Sequence, residues 1–243
     1  MYRLNVSFEE FTLISESGHA KARVETKANI ATILRKRDSR EIKKIIEKMI
    51  SYYDKFDDIY FIHIACIAKA NLALSESNFV FHAALDKLKP VSDYLSSVEI
   101  WFDYEISLFI NCIYLYPLEK SIKIGEKALE KIKQNNALHN NEDLLTSLLL
   151  NLALYALSDE KYHSHAYNYT KQALNLLQSS EILYNSILAK IIHQAICYKL
   201  GNSEYDKAYL SDLLNGLKLM KFDNVYDEFA NFLDMHDVSF DKI

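Results

Sequence analysis

Four side-chain amides recur at nearly constant spacing in four similar stretches of this chain. The stretches are KANLALSES (69–77), FINCIYLYP (109–117), LLNLALYAL (149–157) and IHQAICYKL (192–200). They align Asn71, Asn111, Asn151 and Gln194, which are separated by 40, 40 and 43 residues. An amide carries both a donor and an acceptor, so it can pair with the backbone of an extended peptide without reading its side chains. The spacing therefore predicts a ladder of amides along a peptide-binding groove.

Residues one or two helical turns away from these amides share their face of the helix. The side chains assigned to the predicted groove are Tyr104, Ser107, Ser147, Tyr155, Lys190 and Tyr198. This mixture of aromatic, hydroxyl and few charged groups suits a short hydrophobic peptide. The alternative is structural: the amides tie neighbouring helices together and the tyrosines pack, because a buried polar group must find a partner.

No arrangement of residues indicates catalysis. The chain has no HExxH, GxSxG or paired CxxC motif and no phosphate-binding glycine loop. His163 and His165 stand two residues apart, and on a helix such side chains point in different directions. We therefore predict a protein that is not an enzyme, with no catalytic residues, no metal site and no cofactor.

The composition favours an all-helical chain. Among 243 residues there are 4 glycines and 2 prolines, whereas an average protein of this length has roughly 17 and 12. The net charge of −5 argues against direct binding to duplex DNA. Cys66, Cys112 and Cys197 lie in apolar stretches without paired spacing, which is typical of buried thiols in a reducing, cytoplasmic compartment. No stretch is apolar and long enough to predict a signal peptide or a membrane span.

Apolar residues recur at helical spacing along most of the chain. The predicted helices cover residues 19–36, 39–54, 57–75, 79–95, 97–116, 117–134, 141–158, 161–178, 180–200, 204–220 and 223–234. Asp38 is placed to cap the second helix, Gly201 to end the ninth, and Ser203 to cap the tenth. Helix pairs that repeat about every 40 residues predict an all-α, right-handed α-solenoid of about five helix pairs, similar to tetratricopeptide (TPR) repeats. Residues 19–243 form this domain, and residues 1–18 lie outside it.

The last predicted helix has an apolar side. It is formed by Val225, Phe229, Phe232 and Leu233. A terminal repeat has no next neighbour to cover such a side, so it needs a polar cap or a partner. A second copy can supply the cover through an isologous contact, which predicts a homodimer.

Two stretches resemble a known family, the Rgg/GadR/MutR transcriptional regulators of Gram-positive bacteria. Residues 101–116, WFDYEISLFINCIYLY, resemble the family core W-x-x-[YF]-E-[IL]-x-[LM]-[FY]-x-N-x-[IL]. The matching residues are Trp101, Tyr104, Glu105, Ile106, Leu108, Phe109, Asn111 and Ile113. Residues 4–11, LNVSFEEF, resemble the L-N-V-x-x-x-E-F join that follows the family's helix-turn-helix, through Leu4, Asn5, Val6, Glu10 and Phe11.

The resemblance implies a TPR-like regulatory domain of such a transcription regulator. Residues 1–18 would then be the remnant of the junction with an N-terminal helix-turn-helix that this chain lacks. In the family this domain dimerises and, in several members, binds a short hydrophobic peptide pheromone in its concave groove, as in quorum sensing. We therefore expect a homodimer that binds such a peptide and reaches DNA only through the helix-turn-helix. The alternative is a generic helical-repeat scaffold for a protein partner, without a peptide pheromone.

Overall fold

The chain is a succession of α-helices joined by short connections. The computed structural model describes residues 18–26, 38–77, 80–134, 142–177 and 183–240, and in these ranges all regular structure is helical. The α-helices are α1 (19–26), α2 (Ser39–Phe56), α3 (Ile59–Glu76), α4 (Phe81–Ser97), α5 (Asp103–Cys112), α6 (Leu118–Gln134), α7 (Glu142–Ala156), α8 (His163–Leu177), α9 (Leu183–Leu200), α10 (Lys207–Leu219) and α11 (Asp223–Met235). Short 3-10 turns follow α5 at Ile113–Leu115 and precede α8 at Glu160–Tyr162.

Two predicted helix ends are confirmed. The Asp38 carboxylate accepts hydrogen bonds from the backbone N–H groups of Arg40 and Glu41 at the start of α2. These bonds satisfy donors that have no partner within the helix. Gly201 follows α9 with a φ of 59°, a left-handed conformation that glycine adopts without steric penalty.

The prediction that Ser203 caps the tenth helix is wrong. α10 begins at Lys207, and the Asp206 side chain accepts a hydrogen bond from the backbone N–H of Tyr209. The backbone at Glu204 and Asp206 is instead hydrogen-bonded to the side chain of Gln194. These contacts hold the segment before Lys207 outside the helix.

The fifth helix begins later than the predicted residue 97. Phe102 has extended backbone, with φ −99° and ψ −175°. Its N–H donates to the Glu105 carboxylate at 2.9 Å, an interaction typical of a helix start. α5 therefore begins at Asp103, and Trp101 packs before it with its ring centroid 5.9 Å from that of Phe109.

One compact unit comprises Met1–Glu99 together with Leu115–Pro117. In its described part, α3 packs against both α2 and α4. Among the described residues, α3 is also the one helix long and apolar enough to cross a membrane by composition, yet 61% of it is buried inside the chain. A helix buried to this extent belongs to the core of its unit. Phe61, for example, is fully buried.

The second compact unit comprises Ile100–Tyr114 and Leu118–Ile243. Its helix α7 packs against α5, α6 and α8, and α8 packs in turn against α9. Gly125 on α6 allows a close approach to α7, because a Cβ atom at this position would lie 2.5 Å from Cδ2 of Leu152. Leu152 is fully buried, so its side chain has little room to move away.

The prediction of an all-α chain is confirmed for the described residues. Residues 1–17 and 27–36, which belong to the predicted junction and to the first predicted helix, lie outside them. The division into residues 1–18 and 19–243 stays a prediction.

Candidate functional site

Asn111 lies near the end of α5 with its side chain exposed. It makes no hydrogen bond or ion pair with the part of the chain that the structure describes. Among the described residues, this amide therefore does not tie helices together. The assignment of Asn111 to a peptide groove stays a prediction.

Asn151 is half-buried on α7 and is partly engaged. Its Nδ2 donates to the backbone carbonyl of Ser147 at 2.8 Å, and its Oδ1 accepts from the Tyr114 hydroxyl at 3.0 Å. The Tyr114 ring also meets the Tyr155 ring edge to face, with centroids 5.1 Å apart. The structure thus brings three predicted groove residues, Ser147, Asn151 and Tyr155, into one cluster. Tyr114, which sequence reasoning missed, lies three residues after Asn111 and links α7 to the turn after α5.

Gln194 is buried on α9, and both ends of its amide are occupied inside the chain. Its Nε2 donates to the backbone carbonyl of Glu204 at 3.1 Å. Its Oε1 accepts from the backbone N–H of Asp206 at 2.7 Å. This amide fastens the loop between α9 and α10, which is the structural role that the sequence left open as the alternative.

The remaining predicted groove residues are half-buried. They are Asn71 in the first unit and Tyr104, Ser107, Lys190 and Tyr198 in the second. The Tyr198 ring packs against that of Tyr205, with centroids 5.0 Å apart. The assignment of these residues to a peptide groove stays a prediction.

The predicted dimerisation residues differ in exposure. Val225, Phe229 and Phe232 on α11 are half-buried, whereas Leu233 is fully buried within its own chain. The rings of Phe229 and Phe232 are 6.3 Å apart. Of the four, only Leu233 has no surface to offer a partner. Two more side chains near α11 are highly exposed, Leu219 at 84% and Met235 at 74%.

A second polar cluster, which the sequence did not reveal, joins α9 to the loop that follows it. His193 Nε2 lies 3.1 Å from Glu204 Oε2 and 3.5 Å from Cys197 Sγ. His193 and Cys197 are one helical turn apart, so they share a face of α9. Glu204 lies after the turn at Gly201, and its side chain approaches the same face of α9. The spacing of residues in the sequence does not predict this approach.

Side chains from α8 complete this cluster. The Thr170 hydroxyl lies 3.0 Å from His193 Nδ1. Tyr167 Oη and Lys171 Nζ donate to Glu204 Oε1 at 2.8 and 3.0 Å.

The cluster shifts the pKa values of its members. Hydrogen bonds from Lys171, Tyr167 and His193 lower the pKa of the Glu204 carboxyl to about 2. Burial raises the pKa of the Cys197 thiol to about 11, to which the Glu204 charge adds. Burial lowers the pKa of His193, although Glu204 opposes that effect.

An apolar cavity of about 250 Å³ lies elsewhere in the second unit, between α6, α7 and α8. Its lining residues are Leu129, Ile132, Leu145, Leu149, Gln172, Asn175 and Leu176. None of the predicted groove residues belongs to this lining. The cavity is therefore separate from the surface that carries Asn111.

Comparison with known proteins bears on the fold and the family. The chain is similar to the crystal structure of the SHP pheromone receptor Rgg2 from Streptococcus dysgalactiae, with a TM-score of 0.61 and 19% sequence identity. The alignment covers 94% of this chain and 75% of that one. At this identity the likeness shows the fold, and it confirms the predicted TPR-like architecture. The family profile of the C-terminal domain of the HTH-type transcriptional regulator Rgg matches residues 42–231. The match confirms the resemblance seen around Trp101 and Asn111, and the chain belongs to the Rgg family of transcriptional regulators, of which it carries the C-terminal domain.

Proposed function

We propose that this chain is a peptide-sensing and dimerisation domain. A short hydrophobic signalling peptide binds its groove, and binding controls the attachment of the regulator to DNA through a helix-turn-helix domain. The proposal rests on the Rgg family membership and on the exposed amide of Asn111. Asn111 lies three residues before Tyr114, which contacts Asn151 and Tyr155. The similar protein from Streptococcus dysgalactiae is described as a pheromone receptor, which favours the same class of ligand here.

The exposure of Asn111 is the observation that carries the peptide-binding part of the proposal. Its amide can donate to a peptide carbonyl and accept from a peptide N–H. Tyr114, whose hydroxyl is bonded to Asn151, and Tyr155, whose ring meets that of Tyr114, offer aromatic surface. An apolar side chain of a peptide can pack on such rings while the amide holds its backbone. We assign no peptide contact to Gln194, because both ends of its amide are already bonded.

A peptide titration tests this proposal. Synthetic fluorescent peptides of hydrophobic sequence are titrated with the wild-type chain, and binding is followed by fluorescence polarisation. Asn111→Ala should weaken the affinity by about three- to tenfold, because one hydrogen-bonded pair contributes about 0.5–1.5 kcal/mol. The matched control is Asn168→Ala, since Asn168 is an exposed asparagine on α8 that the proposal leaves out of the groove.

Two results would contradict the proposal. One is the absence of saturable binding of any hydrophobic peptide to the wild-type chain. The other is an equal loss of affinity in both variants, which would mean that Asn111 has no particular role. Melting curves of both variants should match the wild type, because both side chains are exposed.

Dimerisation is the second part of the proposal. The C-terminal helices carry Leu219 and Met235 largely exposed and the rings of Phe229 and Phe232 half-exposed. Burying large apolar side chains contributes about 1.5–3 kcal/mol each. A second copy of the chain is the partner that symmetry makes simplest, because an isologous contact covers the same surface on both copies.

A further inference from the structure

The cluster of His193, Cys197 and Glu204 is not used by the proposed peptide function. A histidine nitrogen, a cysteine sulfur and a carboxylate oxygen lie within 4.8 Å of one another. We propose that these three side chains form a binding site for a divalent metal ion of the zinc class. Such an ion would fasten the loop after α9 to α9 itself.

The two distances from His193 Nε2 to the other donor atoms fit a tetrahedral ion. Bonds of about 2.0 Å to nitrogen and 2.3 Å to sulfur place these two ligands about 3.5 Å apart. The observed distance between His193 Nε2 and Cys197 Sγ is 3.5 Å. Nitrogen and oxygen ligands of the same ion lie about 3.3 Å apart, and Nε2 is 3.1 Å from Glu204 Oε2.

The hydroxyl of Thr170 orients the imidazole for metal binding. The hydroxyl oxygen lies 3.2 and 3.0 Å from the helix carbonyls of Ala166 and Tyr167. When it donates its one hydrogen to these carbonyls, it accepts from Nδ1–H of His193. With the ion bound, Nδ1 carries the proton and Nε2 presents its lone pair to the ion. Metal-binding histidines are oriented by such a bond from their other nitrogen.

The carboxylate is held in the same way. Tyr167 and Lys171 both donate to Oε1 of Glu204, which leaves Oε2 directed at His193. Without an ion, a proton on Nε2 bridges to this carboxylate oxygen 3.1 Å away. A metal ion would take the place of that proton.

The choice of metal follows from the donors. A thiolate, an imidazole and a carboxylate together favour zinc over magnesium or calcium, which prefer oxygen ligands only. The thiolate and the carboxylate balance the two charges of the ion. Three protein ligands leave a fourth position for water.

Cobalt(II) is the probe that separates a metal from a proton. It takes zinc sites and gives an intense near-ultraviolet absorption when a thiolate binds it, which a proton-bridged cluster does not. The full chain is freed of metal with a chelator and titrated with cobalt(II) chloride. We expect one ion per chain, with the thiolate absorption saturating, and displacement by zinc chloride.

Three variants locate the ion. Cys197→Ser should abolish the thiolate absorption, whereas Cys66→Ser, which changes another buried cysteine, should keep it. Glu204→Gln should weaken cobalt binding at least tenfold, and its exposed position allows the fold to persist, as circular dichroism would check. The proposal is overturned if the wild type shows no thiolate absorption, if Cys197→Ser keeps it, or if Glu204→Gln binds cobalt like the wild type.

Discussion

A side-chain amide on a helix serves a ligand only if the chain itself leaves its donor and acceptor free. Asn111 is exposed and without such bonds in the described part of the chain, Asn151 is partly engaged, and Gln194 is fully engaged. The three amides occupy equivalent positions in the sequence and have different roles in the structure. Their substitutions should therefore differ in effect.

Gln194→Ala should lower the free energy of unfolding by about 1–3 kcal/mol. The substitution leaves the Glu204 carbonyl and the Asp206 N–H without their partner, and an unsatisfied buried group costs about that much. Asn111→Ala should change the free energy of unfolding by less than about 0.5 kcal/mol, since the residue is exposed. Chemical denaturation of both variants measures the difference, and equal stabilities would refute the assignment of roles.

Asp58 provides a pH-dependent contribution to stability. Its side chain is 10% exposed, and its carboxylate accepts two bonds from Arg23, at 2.6 and 2.8 Å, while His19 Nε2 lies 2.6 Å from Oδ2. Burial raises the pKa of Asp58, but the bonds from Arg23 and His19 outweigh it and lower the pKa from 3.8 to about 2. The stabilisation is therefore complete above the unfolded value and is lost as the pH falls through 3.8 toward 2.

Asp58→Asn should accordingly destabilise the chain at pH 7 by about 1–3 kcal/mol. The difference from the wild type should shrink as the pH approaches 2, where the wild-type carboxyl also becomes neutral. Urea denaturation of the variant and the wild type along a pH series measures this difference in the free energy of unfolding. Asp54→Asn, an exposed carboxylate on α2, is the control and should show little effect. A destabilisation by Asp58→Asn that does not vary with pH would contradict the assigned cause.

Two glycines lie within helices, and their surroundings differ. Gly125 on α6 faces Leu152 of α7 so closely that a methyl group has no room. Around Gly216 on α10, nothing lies within 4 Å of an added Cβ. The first glycine is required by helix packing, and the second only weakens its own helix.

Alanine at these positions should therefore have opposite effects. Gly125→Ala should destabilise by about 1–2 kcal/mol, because overpacking outweighs the gain in helix propensity. Gly216→Ala should stabilise by about 0.5–1 kcal/mol through propensity alone. Thermal melts of the two variants side by side give the signs. Stabilisation by Gly125→Ala would mean that the Leu152 side chain makes room for the methyl group at little cost.

Among the described residues, the two most exposed large apolar side chains lie at the ends of the C-terminal helices. They are Leu219, which ends α10 and is 84% exposed, and Met235, which ends α11 and is 74% exposed. Exposed apolar side chains of this size are candidates for an interaction surface. The proposed homodimer would cover them. The stability of the dimer would then depend on side chains that are largely exposed in a single chain.

Lysine at Leu219 or Met235 should dissociate the dimer without unfolding the chain. A charge at the contact must be desolvated without a partner, which costs more than the lost apolar area. Light scattering at micromolar concentration measures the mass. Val80→Lys is the control, since Val80 is 54% exposed and lies in the first unit. A monomeric wild type, or an equal effect of Val80→Lys, would contradict the proposal.

Local spacing in the sequence determined the helices, the Asp38 cap, the Gly201 end and the family resemblance around Asn111. Each of these depends on residues within one or two helical turns, so the linear order contains the information. The sequence does not predict the start of α10 at Lys207, because the segment before it is bonded to the Gln194 side chain of the preceding helix.

The tertiary structure alone decided which of the equivalent positions face solvent. It buried Leu233, occupied Gln194 with the loop that follows α9, and left Asn111 exposed. It also brought Glu204 back to His193 and Cys197, with Thr170 from α8 behind them. These outcomes depend on contacts between different helices and loops, because the burial of one surface determines which side chains of another remain exposed. The periodicity of the sequence does not contain this information.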